Sequence, residues 1–417
     1  MNNIVLISAV YPPEPQVSAS ISFDLANKLA ELNNHVTVLC PQPSRSLSTD
    51  YKKYINNKCS LIKFESGVKV VRLSSFSAPQ SNVLPRIWES FSFGHEVIKF
   101  LKKEKKKPNI IYVNAWPLFA QFMIVNYASR NSIPIVLQIM DIYPEALLKK
   151  LPSFFRFLLF APLLKLDIWI SSHANVVVVI SENMRRTYID SRKISTSVLK
   201  LIPTWQDENL FDVVNLRSIV CNTYGIQSEP FTYLFLGNIG PVAGVDFIIR
   251  AFAKANITNS QLLIVGDGTS KIDCIKLAAQ LNQPNIFFIS DSKVSNVPIL
   301  QSMAHVFMLP MIRGSGISSI PSKFASYLFS GKPVLASVDL HSDIANYIRQ
   351  AECGWVGEPE DLDWMATKMK EVSQLSNEIL DLIGQNGRNF GLDNFSKSTC
   401  LNRLSNVILK SLDQTYD

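Results

Sequence analysis

Residues 311–337 read MIRGSGISSIPSKFASYLFSGKPVLAS and link two predicted strands through a glycine-containing loop and a helix. The apolar runs HVFMLP, just before this stretch, and KPVLAS, at its end, are typical of buried strands. Pro321 favours a helix start because its ring fixes φ, and Gly331 favours the helix end. Such a loop directs backbone N–H groups and the positive helix end at an anion. We interpret the stretch as a phosphate site for a nucleotide-linked substrate; an ordinary strand–helix turn is the alternative.

Two cations flank this loop. Arg313 precedes its first glycine and Lys323 follows Pro321, so both are candidates to contact a phosphate. For each of them the alternative is a solvated side chain. The loop itself supplies small residues whose N–H groups are accessible, namely Gly314, Gly316, Ser318 and Ser319.

The length and composition of the chain indicate two domains. Its 417 residues, 47% of them hydrophobic, are enough for two separate cores. The six cysteines lack metal-like spacing, which indicates free thiols in a reducing compartment. The start, MNNIVLISAVYPP, has no basic region and reads directly into a strand, so we expect no signal peptide.

The net charge of +7 is unevenly distributed. Residues 1–200 carry 25 Lys and Arg against 13 Asp and Glu, whereas the remainder carries 16 against 21. We therefore expect only the N-terminal half to favour a polyanionic or membrane surface. The chain has no nucleic-acid recognition motif and no alternation of basic and aromatic residues, which argues against nucleic acid as a partner.

Apolar runs alternate with helical patterns along the whole chain. This alternation predicts an α/β protein with two Rossmann-like, doubly wound parallel sheets. The opening strand–helix–strand lacks GxGxxG and an acidic end to its second strand, which argues against a dinucleotide cofactor. The predicted strands are 3–9, 35–40, 68–73, 109–113, 134–139, 175–180 and 198–202, then 231–237, 261–266, 285–290, 305–310 and 332–337.

The domain boundary is expected near residue 203, because residues 203–230 have no sustained strand pattern. We predict an N-terminal domain over 1–203, a C-terminal domain over 204–390 and a closing helix over 391–417. Two such domains joined by a linker imply a central cleft that holds the active site. Ligands lie at the carboxyl ends of parallel strands. In the first domain these ends carry Tyr11–Ser20, Asn114–Trp116, Asp141–Glu145 and Ser181–Glu182.

Two segments of the first half have the composition of membrane contacts. KKEKKK at 102–107 is a cationic cluster, for which a solvated helix face is the alternative. LPSFFRFLLFAPLLKLDIWI at 151–170 is apolar and aromatic, but Arg156, Lys165 and Asp167 prevent it from spanning a bilayer. We interpret it as an interfacial segment, with its aromatic side chains in lipid and its cations at lipid phosphates. A helix packed in the core is the alternative.

Several landmarks occur in a recognisable order. YPPEP and HVTVLC follow the first strand, IPTWQDENLF lies at the boundary, and LFLGNIGPVAGVDFIIRAF opens the second domain. LLIVGDG precedes a helix, and PSKFASYLFSGKPVLASVD is followed by CGWVGEPED. Over nearly its whole length the chain resembles the family-4 retaining glycosyltransferases of the GT-B fold. It is most similar to bacterial O-antigen and capsule transferases that add an N-acetylated deoxyhexosamine such as N-acetyl-L-fucosamine.

The chain departs from this family at charged positions. Most members carry an Arg and a Lys that hold the donor diphosphate, where this chain has Asn238 and Ala243. Most also carry two glutamates, one near the sugar ring and one at the ribose, where this chain has Ser318 and Ser326. The missing positive charges must therefore be replaced by other groups.

The resemblance implies a donor site in the second domain. Arg313 and Lys323 are the nearest cations, and backbone N–H groups at 237–240 and 314–319 assist them. The donor-binding residues expected on this basis are Gly237, Asn238, Gly240, Gly266, Arg313, Gly314, Gly316, Ser318, Ser319, Lys323 and Ser326.

The resemblance also implies the chemistry. A sugar passes with retention from a nucleoside-diphosphate donor to a lipid-pyrophosphate-linked saccharide, without a metal or cofactor. The resemblance also implies that the base of the donor is uridine. The leaving phosphate takes the proton of the acceptor hydroxyl. No DxD-like pair is set up to hold a metal, and the chain contains neither HExxH nor GxSxG. We expect the protein in the cytoplasm, peripherally associated with the inner face of the cytoplasmic membrane.

Asp141 is the candidate catalytic residue of the first domain. It ends a predicted buried strand, so its carboxylate is expected to bind acceptor or sugar, or to act as a base. A helix cap before YPEALL is the alternative. Acceptor contacts are expected from Tyr11, Glu14, Ser18 and Glu145.

Two other functions remain open. A non-hydrolysing sugar-nucleotide epimerase shares the fold, but its chemistry needs clustered histidines and carboxylates, and the five histidines here form no cluster. A degenerate GT-B protein acting as a nucleotide-binding or scaffolding subunit would explain the missing charged groups. The glycine loops and the PSK motif favour an active enzyme.

Overall fold

The chain folds into two compact units, Met1–Thr204 with Cys400–Asp417, and Trp205–Thr399. Each unit is built on one β-sheet in which nearly all neighbouring strands are parallel. The predicted α/β architecture with two Rossmann-like sheets is therefore confirmed. The computed structural model describes residues 1–14, 16–43, 61–65, 67–76, 83–114, 118–148, 152–212, 217–290, 296–315 and 320–413.

The N-terminal unit contains an eight-stranded sheet among the described residues. The strand order is β3-β4-β2-β1-β5-β6-β7-β8, and every neighbouring pair is parallel except β3 with β4. Strands such as β5 are buried along their whole length, as is typical of a parallel sheet covered on both faces. The strands are β1 (Asn3–Ser8), β2 (His35–Pro41), β3 (Leu61–Glu65), β4 (Val68–Leu73), β5 (Ile110–Asn114), β6 (Ile135–Ile139), β7 (Val176–Val179) and β8 (Leu199–Leu201).

Six described helices connect these strands. One hydrophobic core joins the second and third helices, and the end of the fifth, to a single face of the sheet through residues such as Phe93, Ile124 and Ile170. The helices are α1 (Val17–Glu31), α2 (Val83–Lys103), α3 (Phe119–Arg130), α4 (Glu145–Leu148), α5 (Ser153–Ser172) and α6 (Glu182–Asp190).

The C-terminal unit contains a six-stranded sheet among the described residues, with the order β11-β10-β9-β12-β13-β14 and only parallel pairs. Its strands are β9 (Phe231–Leu236), β10 (Ser260–Val265), β11 (Ile286–Ile289), β12 (Val306–Pro310), β13 (Val334–Ser337) and β14 (Gly354–Gly357). The helices that follow α6 are α7 (Arg217–Tyr224), α8 (Val245–Ala255), α9 (Lys271–Gln280), α10 (Val297–Gln301), α11 (Ser322–Phe329), α12 (Asp343–Gln350), α13 (Leu362–Ser373), α14 (Asn377–Phe395) and α15 (Lys397–Asp413).

The structure differs from the sequence analysis in local details. β3 and β14 were not predicted, because LIKFE carries two charges and GWVG two glycines, and such residues are poor strand formers. Helix α1 begins after Gln16 without a side-chain cap, so Ser18 lies inside the helix. The single helix predicted over 391–417 is divided at Ser396, whose backbone is extended.

Helix α14 packs closely against the end of α11. Gly384 and Gly391 are buried on one face of α14. A Cβ atom at Gly384 would lie 2.0 Å from the carbonyl oxygen of Gly331, and one at Gly391 would lie 3.0 Å from the Leu328 Cβ. Glycines at this spacing therefore let the two backbones approach each other. This close packing fixes the position of α11, whose first turn carries Lys323, relative to the sheet.

Gly384→Ala is expected to destabilise the C-terminal unit, because the new methyl group overlaps the Gly331 carbonyl and forces the backbones apart. We expect a loss of about 2 kcal/mol, typical of overpacked cores, seen in calorimetry as a lower thermal midpoint. Gln385→Ala, exposed on the same helix, is the control and should leave the midpoint nearly unchanged. Equal midpoints for the two variants would contradict this close packing.

Candidate functional site

Two glycine loops meet at the carboxyl ends of β9 and β10. The Ile239 N–H donates to the Asp267 carbonyl at 2.9 Å, and the Ser270 N–H donates to the Ile239 carbonyl at 3.0 Å. A Cβ at Gly266 would lie 2.0 Å from the Gly237 carbonyl oxygen, so only glycine permits this contact. The predicted donor residues Gly237 and Gly266 are therefore neighbours.

The polar side chains of these loops hold them together. Asn238 is exposed, and its Nδ2 would lie 2.9 Å from a Cβ at Gly240, so its carboxamide lies across that glycine. Lys271, which the sequence analysis did not single out, donates to the Asp267 carboxylate at 2.7 Å and to the Gly266 carbonyl at 3.1 Å. This lysine holds the pKa of the Asp267 carboxyl below its ordinary value.

Lys323 extends from the first turn of α11 over the loop that follows β9. Its Nζ is 4.1 Å from the centroid of the Phe235 ring. A Cβ at Gly237 would lie 3.5 Å from the Lys323 Cδ and 3.8 Å from its Nζ. Burial lowers the pKa of Lys323 to about 7, and no carboxylate in the described part of the chain opposes this effect. The structure thus brings together two predicted donor residues, Lys323 and Gly237, and no described carboxylate pairs with the Lys323 ammonium.

Arg313 and Gly314 already contact acidic side chains. The Arg313 Nη1 is 3.3 Å from the Glu358 carboxylate, and the arginine side chain is 63% exposed. The Gly314 N–H donates to the Asp339 carboxylate at 2.9 Å. These carboxylates follow β14 and β13, and they lie where the sequence analysis expected a phosphate. Three other predicted donor residues, Gly316, Ser318 and Ser319, lie outside the described residues.

Ser326 is a buried residue of α11. Its hydroxyl accepts a hydrogen bond from the Gln301 Nε2 at 3.0 Å and donates to the Lys323 carbonyl at 2.8 Å. Gln301 in turn accepts a hydrogen bond from Ser330 at 2.6 Å. Ser326 therefore joins α11 to α10, at the position where the resemblance places a ribose-binding glutamate.

The N-terminal unit has a pocket of about 220 Å³ at the carboxyl ends of β1, β5 and β6. Among the predicted residues, Asp141 and Ser18 line it. Tyr11 and Glu14 are buried in the proline-rich loop after β1, where the Glu14 N–H donates to the Tyr11 carbonyl at 3.2 Å. In the described part of the chain, no three His, Cys, Asp or Glu side chains are grouped like the ligands of a metal.

The floor of this pocket is polar. Asn114 is the last residue of β5 and Gln138 the last but one of β6, and the register pairs Val113 with Leu137, so the two side chains lie side by side. Asn114 is 6% exposed and Gln138 is 1% exposed. The Tyr112 hydroxyl donates to the Gln138 Oε1. Within the described residues, the Asn114 Nδ2 and the Gln138 Nε2 have no hydrogen-bond partner.

A buried arginine supports the other wall of the pocket. The Arg192 Nε is 3.1 Å from the Asp167 Oδ2, and its Nη2 is 2.6 Å from the Glu145 Oε2 and 2.8 Å from the Tyr143 carbonyl oxygen. Burial raises the pKa of Asp167 to about 6, although Arg192 opposes the shift. Glu145, a predicted acceptor residue, is therefore held by Arg192 and does not line the pocket.

Asp141 affects a neighbouring tyrosine of this pocket. Burial, assisted by the negative charge of Asp141, raises the pKa of Tyr143 to about 12, so its hydroxyl keeps its proton at neutral pH. The sequence analysis missed Gln138 and took Asp167 only as an interruption of an apolar segment. A polar residue inside a strand such as IVLQI was the available signal.

Comparisons with known proteins agree with this geometry. A model of Glycosyltransferase Family 4 matches residues 20–209, and a model of Glycosyl transferases group 1 matches residues 221–390. The probable glycosyltransferase WbjE of Pseudomonas aeruginosa is 22% identical over 355 residues, which are 82% of this chain and 85% of that protein.

Solved structures share the fold. WaaG, a glycosyltransferase involved in lipopolysaccharide biosynthesis, is 16% identical with a TM-score of 0.66, over 97% of this chain and 99% of that one. HepE of Anabaena in complex with UDP-glucose is 14% identical with a TM-score of 0.68, over 98% of this chain and 100% of that one. The two family models together match more than half of the chain. The chain is therefore a glycosyltransferase of the GT-B fold, with a family 4 domain followed by a group 1 domain.

Proposed function

We propose that this glycosyltransferase moves a sugar, with retention, from a UDP-linked donor to a lipid-linked saccharide of O-antigen or capsule biosynthesis. The observation that carries the donor side is the ammonium of Lys323, held over Gly237 and Phe235 without a carboxylate partner in the described residues. UDP-glucose in the structure of HepE supports the uridine donor. An N-acetylated deoxyhexosamine such as N-acetyl-L-fucosamine is proposed from the sequence resemblance alone.

The donor diphosphate is proposed to lie beside the loop after β9. The N-terminal end of α11 and the N–H groups near Gly237 supply partial positive charge there. Lys323 supplies the full charge that Asn238 and Ala243 do not. A diphosphate gives the half-buried ammonium a counterion that the described residues do not supply, and the attraction between the two charges is strong where water is largely excluded.

The proposed chemistry depends on charge stabilisation of the leaving group. Negative charge develops on the leaving diphosphate in the transition state, where a fixed ammonium and oriented N–H groups stabilise it without reorganisation. The leaving phosphate then accepts the proton of the acceptor hydroxyl, without a metal. Asp141 is proposed to orient that hydroxyl or to act as a base, because it lines the pocket of the N-terminal unit.

A membrane contact is proposed for the first half of α5. The 20 residues of this helix span about 30 Å, whereas the four residues of β7 span about 13 Å. Since α5 ends close to the start of β7, its excess length lies at the other end of the strands. Its buried residues, Asp167, Ile170 and Ser171, are all near its C-terminal end.

The first half of α5 exposes large apolar side chains. Phe154 is 73% exposed and Phe157 is 89% exposed. No helix in the described part of the chain has the length and hydropathy to cross a membrane. The cationic cluster at 102–107 begins in the last turn of α2 and precedes β5, so it lies at the amino ends of the strands. We therefore propose that α5 alone, and not this cluster, meets the lipid.

The donor role of Lys323 predicts proton uptake. At pH 8 its amine is mostly neutral, because its pKa is about 7, and a bound diphosphate raises that pKa. Calorimetric titration with UDP in buffers of different ionisation enthalpy should therefore show uptake of nearly one proton. Affinity should fall as the pH rises above about 7, since charging the lysine then becomes part of binding.

Lys323→Met should abolish this uptake and weaken UDP binding about tenfold to a hundredfold, the range for a hydrogen bond to a charged group. Lys332→Met, which removes a surface lysine paired with Asp381, is the control and should retain both the proton uptake and the UDP affinity. Tight UDP binding without proton uptake by the unmodified chain would rule out the proposed contact.

Asp141→Asn should reduce turnover more than donor affinity. We expect the transfer rate from UDP-sugar to extracted lipid-linked saccharide to fall about a hundredfold or more if the carboxylate acts as a base. The UDP affinity should stay unchanged. Asp190→Asn, exposed at the end of α6, is the control. Full turnover by Asp141→Asn would leave Asp141 with a structural role only.

Replacing both Phe154 and Phe157 by Ser should release the protein from vesicles of phosphatidylethanolamine and phosphatidylglycerol. Each buried phenylalanine contributes about 1.5–3 kcal/mol, so the partition coefficient should fall at least about tenfold in sedimentation. Phe64→Ser removes an equally exposed phenylalanine from β3 and should have no effect. If the double variant sediments like the control, α5 is not the contact.

A further inference from the structure

We propose that the pocket at the carboxyl ends of β1, β5 and β6 binds one uncharged, hydroxyl-bearing sugar ring, with the amide N–H groups of Asn114 and Gln138 as its donors. The inference rests on the proposed function, because it specifies which part of the acceptor enters the N-terminal unit. It adds two binding residues that the sequence analysis did not assign, and it excludes the pyrophosphate from this pocket.

The first argument is the state of the two amides. Both side chains are more than nine-tenths buried, and their nitrogen atoms have no hydrogen-bond partner within the described residues. A buried polar group without a partner costs about 1–3 kcal/mol. Two such groups next to each other on the floor of a pocket indicate that oxygen atoms of a ligand accept their hydrogen bonds.

The second argument is that the walls of the pocket are acidic. Asp141 and Asp167 line it, and none of the lining residues in the described part of the chain is a lysine, arginine or histidine. Arg192 is held by Asp167 and Glu145. Arg86, whose charge acts on Tyr143, does not line the pocket. Among the described lining residues a phosphate would therefore meet two carboxyl groups and no cationic side chain, which disfavours an anion.

The third argument is that hydroxyl groups satisfy both walls at once. A hydroxyl accepts a hydrogen bond from an amide and donates one to a carboxylate. An ammonium ligand would pair with the aspartates but leave both amides without an acceptor. The volume of about 220 Å³ corresponds to roughly seven water molecules at about 30 Å³ each, which suits a single ring.

The test combines stability with binding. Asn114→Leu removes one donor. The double variant Tyr112→Phe with Gln138→Met removes the other donor together with its buried tyrosine partner, so that no new unpaired group is left. In the described residues neither amide nitrogen has a protein partner, and the tyrosine that pairs with the Gln138 carbonyl oxygen is replaced together with it, so both variants should keep or raise the thermal midpoint. Asn126→Leu, a like substitution at a partly exposed position in α3, is the control.

Binding is measured by ligand-observed NMR with methyl glycosides of neutral hexoses and N-acetylhexosamines, and with inorganic pyrophosphate. We expect at least one glycoside to bind the unmodified chain, with about tenfold weaker binding in both variants and none of this loss in the control. A pyrophosphate signal, if present, should be the same in all four proteins.

Three results would overturn the proposal. The first is a thermal midpoint that falls by several degrees in both variants. The second is glycoside binding that neither variant weakens. The third is the absence of binding by the unmodified chain for every glycoside tested. UDP binding and its proton uptake at Lys323 are measured on the same samples. If the unmodified chain binds UDP but none of the glycosides, this inference alone is rejected, whereas absence of UDP binding by the unmodified chain rejects the proposed donor site.

Discussion

The donor site proposed in the C-terminal unit depends on the position of one ammonium group. The Nζ of Lys323 lies against the face of Phe235 and above the backbone of Gly237, where the only stabilisation in the described residues is the weak attraction of an aromatic ring. Its position requires close packing on the opposite side of α11. The glycines of α14 provide that packing, because any larger side chain at Gly384 would displace the helix end. The position of the Lys323 ammonium therefore depends on the glycines of α14, although these residues are about sixty positions away in the chain.

The N-terminal unit uses a buried cation in the opposite way. Arg192 is fully satisfied by Asp167, Glu145 and the Tyr143 carbonyl, and it joins α4, α5 and the loop after β6. A buried ion pair with its hydrogen bonds made adds little to the free energy of unfolding, because desolvation offsets much of the attraction between the charges. Its main effect is to fix the geometry of the groups that it joins. It fixes the loop that carries Asp141. The two units therefore differ: in the C-terminal unit no described carboxylate pairs with the Lys323 ammonium, whereas in the N-terminal unit the Arg192 charge supports a loop.

The elements that the sequence analysis predicted correctly are those with one dominant signal. Buried parallel strands such as IIYVN and VFMLP are nearly continuous apolar runs, and Gly331 ends α11 as expected. The proximity of Lys323 to Gly237 was expected from the family resemblance, and the observed strand order explains it, because the two residues follow the neighbouring strands β12 and β9.

Contacts between distant loops were not predictable. The partners of Arg313 and Gly314, Glu358 and Asp339, follow other strands, and nothing in the spacing of the chain links them. Gln138 and Asp167 were overlooked for a related reason. A single polar residue in an apolar segment becomes informative only when its neighbours across the sheet are known.

The length of α5 has a consequence for the protein away from any lipid. Monomeric proteins rarely leave a contiguous aromatic surface in water, and the first half of this helix is such a surface. Two copies that meet through these helices would remove the same side chains from water that a bilayer removes. Self-association would therefore compete with the proposed lipid binding for one surface. An oligomer seen only in concentrated solution would then be a consequence of this exposed apolar surface.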